Sequence, residues 1–158
     1  MSLGAWLGAT RPLTLVASMV PVVVGTIYSW RQTAEISWTI FALCLGFAFL
    51  MQIGANFAND YYDFGRGADR HDRIGPARAV ASGMIRPGLM KAAAYVVLAL
   101  GFALGLALLR ISNGGWPLLA VGVASVVCAL AYTSGPWPLA YLGLGDLFVI
   151  LFFGLVAV

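Results

Sequence analysis

Charge is scarce in this chain. Only 9% of its 158 residues are Asp, Glu, Lys or Arg, where an ordinary soluble domain carries about 25%. With 61% hydrophobic residues and a mean hydropathy of +0.92, a soluble globular domain is excluded and an integral membrane protein is implied. Lysine is almost missing, since Lys91 is the only one. The net charge of +3 gives no argument for a nucleic-acid partner, because the basic residues sit beside apolar runs, where they report topology. The two cysteines, Cys44 and Cys128, lie inside apolar runs and read as small buried hydrophobes, not as a disulfide or a metal pair. The single histidine, His71, has no cysteine neighbour, which makes it a poor metal signal.

What is present is a series of apolar stretches, at residues 12–30, 38–57, 92–109, 116–132 and 142–158. A membrane helix needs about 17 to 25 apolar residues. The expected fold is therefore an all-α transmembrane helix bundle with four complete spans and part of a fifth. No basic anchor follows the fifth stretch, so the chain is expected to be the N-terminal portion of a longer protein. The first stretch lacks a small-x-small cleavage site and is followed by another apolar run, so it reads as a span, not a signal peptide. Trp30, Trp38, Trp116 and Trp137 fall near span ends, as an interfacial aromatic belt requires. If the N-terminus is cytoplasmic, Arg11, Arg66, Arg70, Arg73, Arg78, Arg86 and Lys91 collect inside, and only Arg31 and Arg110 lie outside. The positive-inside rule thus places the N-terminus and the charged loop 57–91 in the cytoplasm. Gly101 and Gly105 form a GxxxG, which either packs two helices closely or reflects the general frequency of glycine in membrane helices.

Most of the charge is gathered in one segment, NFANDYYDFGRGADRHDRIGPARAVASG, from Asn56 to Gly83. Ionic groups beside a membrane span are costly, and they mark a functional site by default. If the second span stays helical up to Gly65, Gln52, Asn56, Asn59, Asp60 and Asp63 share one face, because they recur at spacings of three and four. Asp60 and Asp63 can then converge on one ion. Without a cation the arrangement is unfavourable, since each aspartate at a helix C-terminus meets the negative end of the dipole at about 0.3–1 kcal/mol. Mg²⁺ reverses that sign, and it prefers one or two carboxylates together with water and phosphate oxygens. Asp69 and Asp72 repeat the spacing and can add ligands. Arg66, Arg70, Arg73 and Arg78 follow. Guanidinium groups offer paired hydrogen bonds to phosphate. The bland alternative is a juxtamembrane loop of weak solvated ion pairs, with Asn56 and Asn59 making interhelical hydrogen bonds. That alternative leaves the polar stripe inside the span unexplained.

A second polar point is YTSGPWPLAYLGLGD, from Tyr132 to Asp146, on the same expected side. Asp146 either faces the same cavity or caps the next helix.

At these residues the chain resembles the UbiA-type membrane prenyltransferases. Asn59-Asp60-Tyr61-Tyr62-Asp63 matches the first part of that family's NDxxDxxxD motif, while Asp69 follows Asp63 by six residues instead of four. GADRHDRIGPAR with Ser82-Gly83, and the segment from Tyr132 to Asp146, resemble the branch that acts on 1,4-dihydroxy-2-naphthoate. The resemblance implies a single membrane domain over 1–158, the N-terminal half of a nine-helix prenyltransferase in a prokaryotic cytoplasmic membrane. It implies transfer of a polyprenyl group from polyprenyl diphosphate to the naphthoate, with loss of CO₂ and diphosphate, giving demethylmenaquinone. It further implies Mg²⁺ as cofactor and a second aspartate-rich motif after Val158. Asp60, Asp63 and Asn59 become the catalytic candidates, with Asp60, Asp63, Asp69 and Asn56 on the metal. Arg66, Arg70, Arg73 and Arg78 would hold diphosphate, and Gln52, Asp72, Tyr132 and Asp146 would line the cavity. The aromatic residues Phe57, Tyr61, Tyr62 and Phe64 either shield an allylic cation from water or simply pack.

Three other readings compete. The 4-hydroxybenzoate branch of the same family is the main rival for the acceptor. A CDP-alcohol phosphotransferase needs Asp-Gly-x-x-Ala-Arg, where this chain has Asp63-Phe64-Gly65-Arg66. A cation transporter keeps its carboxylates at mid-depth and avoids a cluster of arginines beside them.

Overall fold

The computed structural model describes residues 2–67 and 78–132, with isolated positions at 134, 143, 147 and 150. Five helices carry most of the described residues, in the order α1 (Leu3–Ala9), α2 (Pro12–Thr33), α3 (Trp38–Gly65), α4 (Pro87–Ser112) and α5 (Gly115–Ala131). Three of these, α2, α3 and α4, are long and apolar enough to cross a membrane, and α5 is a shorter apolar helix. The expected bundle is thus present, and its first four stretches each fall on a helix. The fifth stretch lies almost wholly outside the described residues.

Local chemistry sets the helix ends. Pro12 and Pro87 stand at the start of α2 and α4, where the missing N–H is no loss. The Ser37 hydroxyl accepts the Ile40 N–H at 3.4 Å and caps α3. α3 runs on to Gly65, eight residues beyond the apolar stretch that begins it, so the polar stripe stays helical as its spacing requires. Hydropathy does not reveal α1, whose seven residues are fewer than any spanning window. Between α1 and α2, Arg11 takes a left-handed backbone at φ 52, a conformation that costs a non-glycine residue about 1–2 kcal/mol.

α3 is the central element and touches each of the other four helices. Its approach to α4 is close because glycines remove the side chains between them. A Cβ on Gly54 would stand 2.6 Å from Leu98 Cγ, and one on Gly46 would stand 2.9 Å from Leu104 Cδ2. From the other side, a Cβ on Gly101 would meet Leu50 at 3.2 Å and one on Gly105 would meet Phe47 at 3.1 Å. The Gly101–Gly105 pair is therefore a packing device. Without a hydrophobic force between helices in lipid, such close contact supplies much of the association energy.

The most buried cluster lies not at mid-membrane but at the charged end of α3. Ala5 and Ala9 of α1, Phe57 and Ala58 of α3, Ala79, Val80 and Ile85 of the returning chain, and Met90 and Ala94 of α4 pack together there. Trp6 meets the Phe57 ring edge-on at 5.4 Å. α1 and the returning segment thus close over the end of α3 from different directions.

Candidate functional site

The polar stripe of α3 points into that cluster. Asn56 and Asp60 are each 2% exposed and Asp63 is 8% exposed. Gln52 and Asn59 are half-buried on the same helix. Burying carboxylates is costly unless each oxygen has partners, and the returning chain supplies them. Asp60 Oδ2 accepts the Ala79 N–H at 3.1 Å, and Asp60 Oδ1 accepts the Val80 N–H at 3.3 Å. One turn further along, Asp63 Oδ2 accepts a hydrogen bond from Arg78 Nη2 at 2.6 Å, within an ion pair whose side chains are about one-tenth exposed. Three consecutive residues, Arg78 to Val80, are therefore gripped by two carboxylates. The grip is matched by a turn, in which Ser82 N–H bonds to the Arg78 carbonyl and Ile85 N–H to the Ala79 carbonyl.

Asn56 has other bonds. Its Nδ2 donates to the Thr10 carbonyl at 2.8 Å and to the Thr14 hydroxyl at 2.9 Å. These are bonds between helices, one of the two roles its position allowed. Arg66 forms the C-cap of α3 through its backbone, and half-buried Tyr132 caps α5 in the same way. Asp69, Arg70, Asp72, Arg73 and Asp146 lie outside the described residues.

Several participants carried no sequence signal. The backbone N–H groups of Ala79 and Val80 are donors that no residue code marks. Arg11 read as a topology charge, but it lies within electrostatic reach of Asp60. The Arg-Pro step at a helix start was the available clue, because Pro12 fixes where the non-helical residue must stand. Tyr62 and Tyr95 share a hydrogen bond between hydroxyls at 2.8 Å, and Lys91 Nζ sits 5.5 Å from the Tyr61 ring centroid. Of the aromatics near the carboxylates, Phe57 is core and Phe64 is exposed.

Two hard carboxylates one turn apart suit Mg²⁺ in the mode that retains water and phosphate oxygens. Each carboxylate has about four lone-pair sites, so the bonds to Ala79, Val80 and Arg78 do not exhaust them. Among the described residues no group of three or more His, Cys, Asp or Glu side chains forms an all-protein cage. The residues present fit a metal that shares its shell with a phosphate ligand.

Residues 18–158 match the UbiA prenyltransferase family. The chain belongs to that family. Among curated UbiA-related proteins, it is 40% identical to a 1,4-dihydroxy-2-naphthoate octaprenyltransferase of Mycobacterium leprae, over 99% of this chain and 52% of that protein. It is 42% identical to the octaprenyltransferase of the same name from Mycobacterium tuberculosis, over 70% of this chain and 37% of that protein. The Escherichia coli protein of that name is 39% identical over 68% of this chain and 35% of its own length. The chain thus spans from about a third to about half the length of these UbiA-family relatives. No solved structure matches it. UbiA membership and the three spanning helices together make this an integral membrane protein of a prenyltransferase family.

Proposed function

We propose that this chain carries the diphosphate-binding part of a site that transfers a polyprenyl group to 1,4-dihydroxy-2-naphthoate, in the making of menaquinone. The observation that carries the reading is the buried pair Asp60 and Asp63, one turn apart at the end of a membrane helix, with Arg78 at 2.6 Å. The names of the relatives support the acceptor.

In the reaction, the allylic C–O bond breaks and diphosphate leaves with the bonding pair. A ring carbon of the acceptor forms the new C–C bond. The carboxyl group leaves as CO₂, and its bonding pair stays in the ring. No oxidant or reductant is needed, so the product is released as the hydroquinone form of demethylmenaquinone. Diphosphate leaves readily only when its charge is neutralised. Mg²⁺, held by Asp60 and Asp63 with Asp69 as a further ligand, supplies that neutralisation when bound. Arg66, Arg70, Arg73 and Arg78 hold phosphate oxygens through paired N–H groups. Asn59 orients the leaving group from the same helix. The apolar helices receive the prenyl tail and keep water from the allylic cation. The N-terminus and residues 57–91 face the cytoplasm.

The test uses the complete reading frame expressed in membranes, supplied with a polyprenyl diphosphate and carboxyl-labelled 1,4-dihydroxy-2-naphthoate or 4-hydroxybenzoate, with and without Mg²⁺. Mg²⁺-dependent prenylation with labelled CO₂ from the naphthoate is expected. Product from hydroxybenzoate alone, with its carboxyl retained, moves the protein to the other branch. No product from either acceptor overturns the reading.

A further inference from the structure

Asn56 reaches the break between α1 and α2, where Arg11 stands. Arg11 occupies that break with a left-handed backbone, held between Thr10, which closes α1, and Pro12, which opens α2. Such a residue keeps its conformation only where its surroundings impose it. Here they do. The Thr14 hydroxyl donates to the Arg11 carbonyl at 2.9 Å. Asn56 Nδ2 donates to that same Thr14 hydroxyl and to the Thr10 carbonyl. The amide thus grips the residue before Arg11 and also the residue that holds Arg11's own carbonyl. Ala5, Trp6 and Ala9 seat α1 against Phe57 and Ala58, the residues between Asn56 and Asp60. Nη2 of Arg11 is buried, and its positive charge acts on Asp60.

The charges give this placement a use. Arg78 pairs directly with Asp63 at 2.6 Å, and Arg11 adds a longer-range positive charge on the Asp60 side. The two arginines offset the two aspartates. The charge of a divalent cation entering between them is left over for an anion, instead of being cancelled by its own ligands.

We propose that Arg11 is an anion-binding residue of the diphosphate site, and that Asn56 is its positioning residue, acting through Thr10 and Thr14 and not as a metal ligand. This inference rests on the diphosphate reading above.

Asn56→Asp separates the two roles. An aspartate is a better Mg²⁺ ligand than an amide, but it has no N–H to give Thr10 or Thr14. The experiment titrates inorganic diphosphate with Mg²⁺ into the full-length protein in detergent by calorimetry, and it measures KM for polyprenyl diphosphate and the Mg²⁺ activation constant in membranes. Arg11→Gln and Asn56→Asp are each expected to weaken diphosphate binding about tenfold or more, the loss of one charge-assisted bond. The Mg²⁺ activation constant should not move, and Asn56→Asp should add little once Arg11 is already Gln. Thr14→Val removes only a hydroxyl and guards against a failure to fold; it should raise KM several-fold, with Thr14→Ser restoring it. Arg11→Gln or Thr14→Val proteins that fold and bind diphosphate like wild type overturn the proposal. So does an Asn56→Asp protein that shifts the Mg²⁺ constant but leaves diphosphate affinity unchanged. A wild-type protein that binds no diphosphate overturns the function proposed above as well, so the two failures are distinguishable.

Discussion

The two ends of the α3 packing surface are built by opposite means. Along the apolar part of α3, contact with α4 depends on shape. Gly46 and Gly54 admit Leu104 and Leu98, and Gly101 and Gly105 admit Leu50 and Phe47. At the charged end, contact depends on directed bonds that tie Asn56, Asp60 and Asp63 to two other pieces of chain, the α1–α2 junction and residues 78–80. A shape-based seam tolerates no added volume but asks nothing of the surrounding charge. A bonded seam tolerates small changes of volume but fails when one partner is lost.

The sharpest test of that contrast is to break the bonded seam at its ion pair. Removing either Asp63 or Arg78 alone leaves a buried charge without its partner, at about 3–5 kcal/mol. Asp63→Ala and Arg78→Ala should each lower the detergent-denaturation stability of the full-length protein strongly. The double variant should be less destabilised than the sum of the two, and additive losses would mean that the pair is not coupled. Next in size is the shape seam. Gly54→Val places a methyl-bearing carbon against Leu98, and overpacking of this kind costs about 1–3 kcal/mol. The polar end should survive it, so diphosphate affinity is expected to persist in the fraction that stays folded. A comparable effect is expected at Asp60, where Asn can accept only one of the two N–H bonds. Leaving one buried donor unmet costs about 1–3 kcal/mol, and hydrogen exchange at the Ala79 and Val80 amides should quicken in Asp60→Asn without any change along α4. The smallest effect is expected at Gly122, where a Cβ meets nothing within 4 Å. Gly122→Ala should be neutral or stabilising, by up to about 1 kcal/mol from helix propensity. A large loss there would mean that the groove beside Gly122, lined by Phe47, Phe102 and Leu109, is filled in the full-length protein.

Much of the shape seam could be read from spacing. The apolar runs fall on α2 to α5, the stop at Gly65 holds, and the i, i+3 and i, i+4 recurrence from Gln52 to Asp63 marks the face that is buried. The bonded seam was legible only on one side. The carboxylates of Asp60 and Asp63 stood out because charge is rare here, but one of their partners is the backbone of Ala79 and Val80, whose donors every residue type shares. The sequence offers Arg78 as a candidate phosphate ligand and is silent on its pairing with Asp63, since pairing across fifteen residues depends on how the chain returns. α1 escaped notice because it is shorter than a membrane span, and Arg11 escaped with it. For Asn56 the sequence leaves ligand and interhelical tie open, and the bonds to Thr10 and Thr14 show the tie.

The length of α3 has one more consequence. Its 28 residues, at about 1.5 Å each, make a rod of roughly 42 Å, against roughly 30 Å of hydrocarbon in a bilayer. The apolar stretch 38–57 alone matches that thickness, so residues 58–65 extend toward the lipid headgroups. On the function proposed above, a substrate with a prenyl tail would carry its phosphates at that same level and would meet Asp60 and Asp63 by sliding sideways within the leaflet. Encounter becomes a two-dimensional search. The concentration that governs saturation is then the substrate's mole fraction among the lipids, and diluting the membrane with inert lipid should slow the reaction even when the bulk amount of substrate is unchanged.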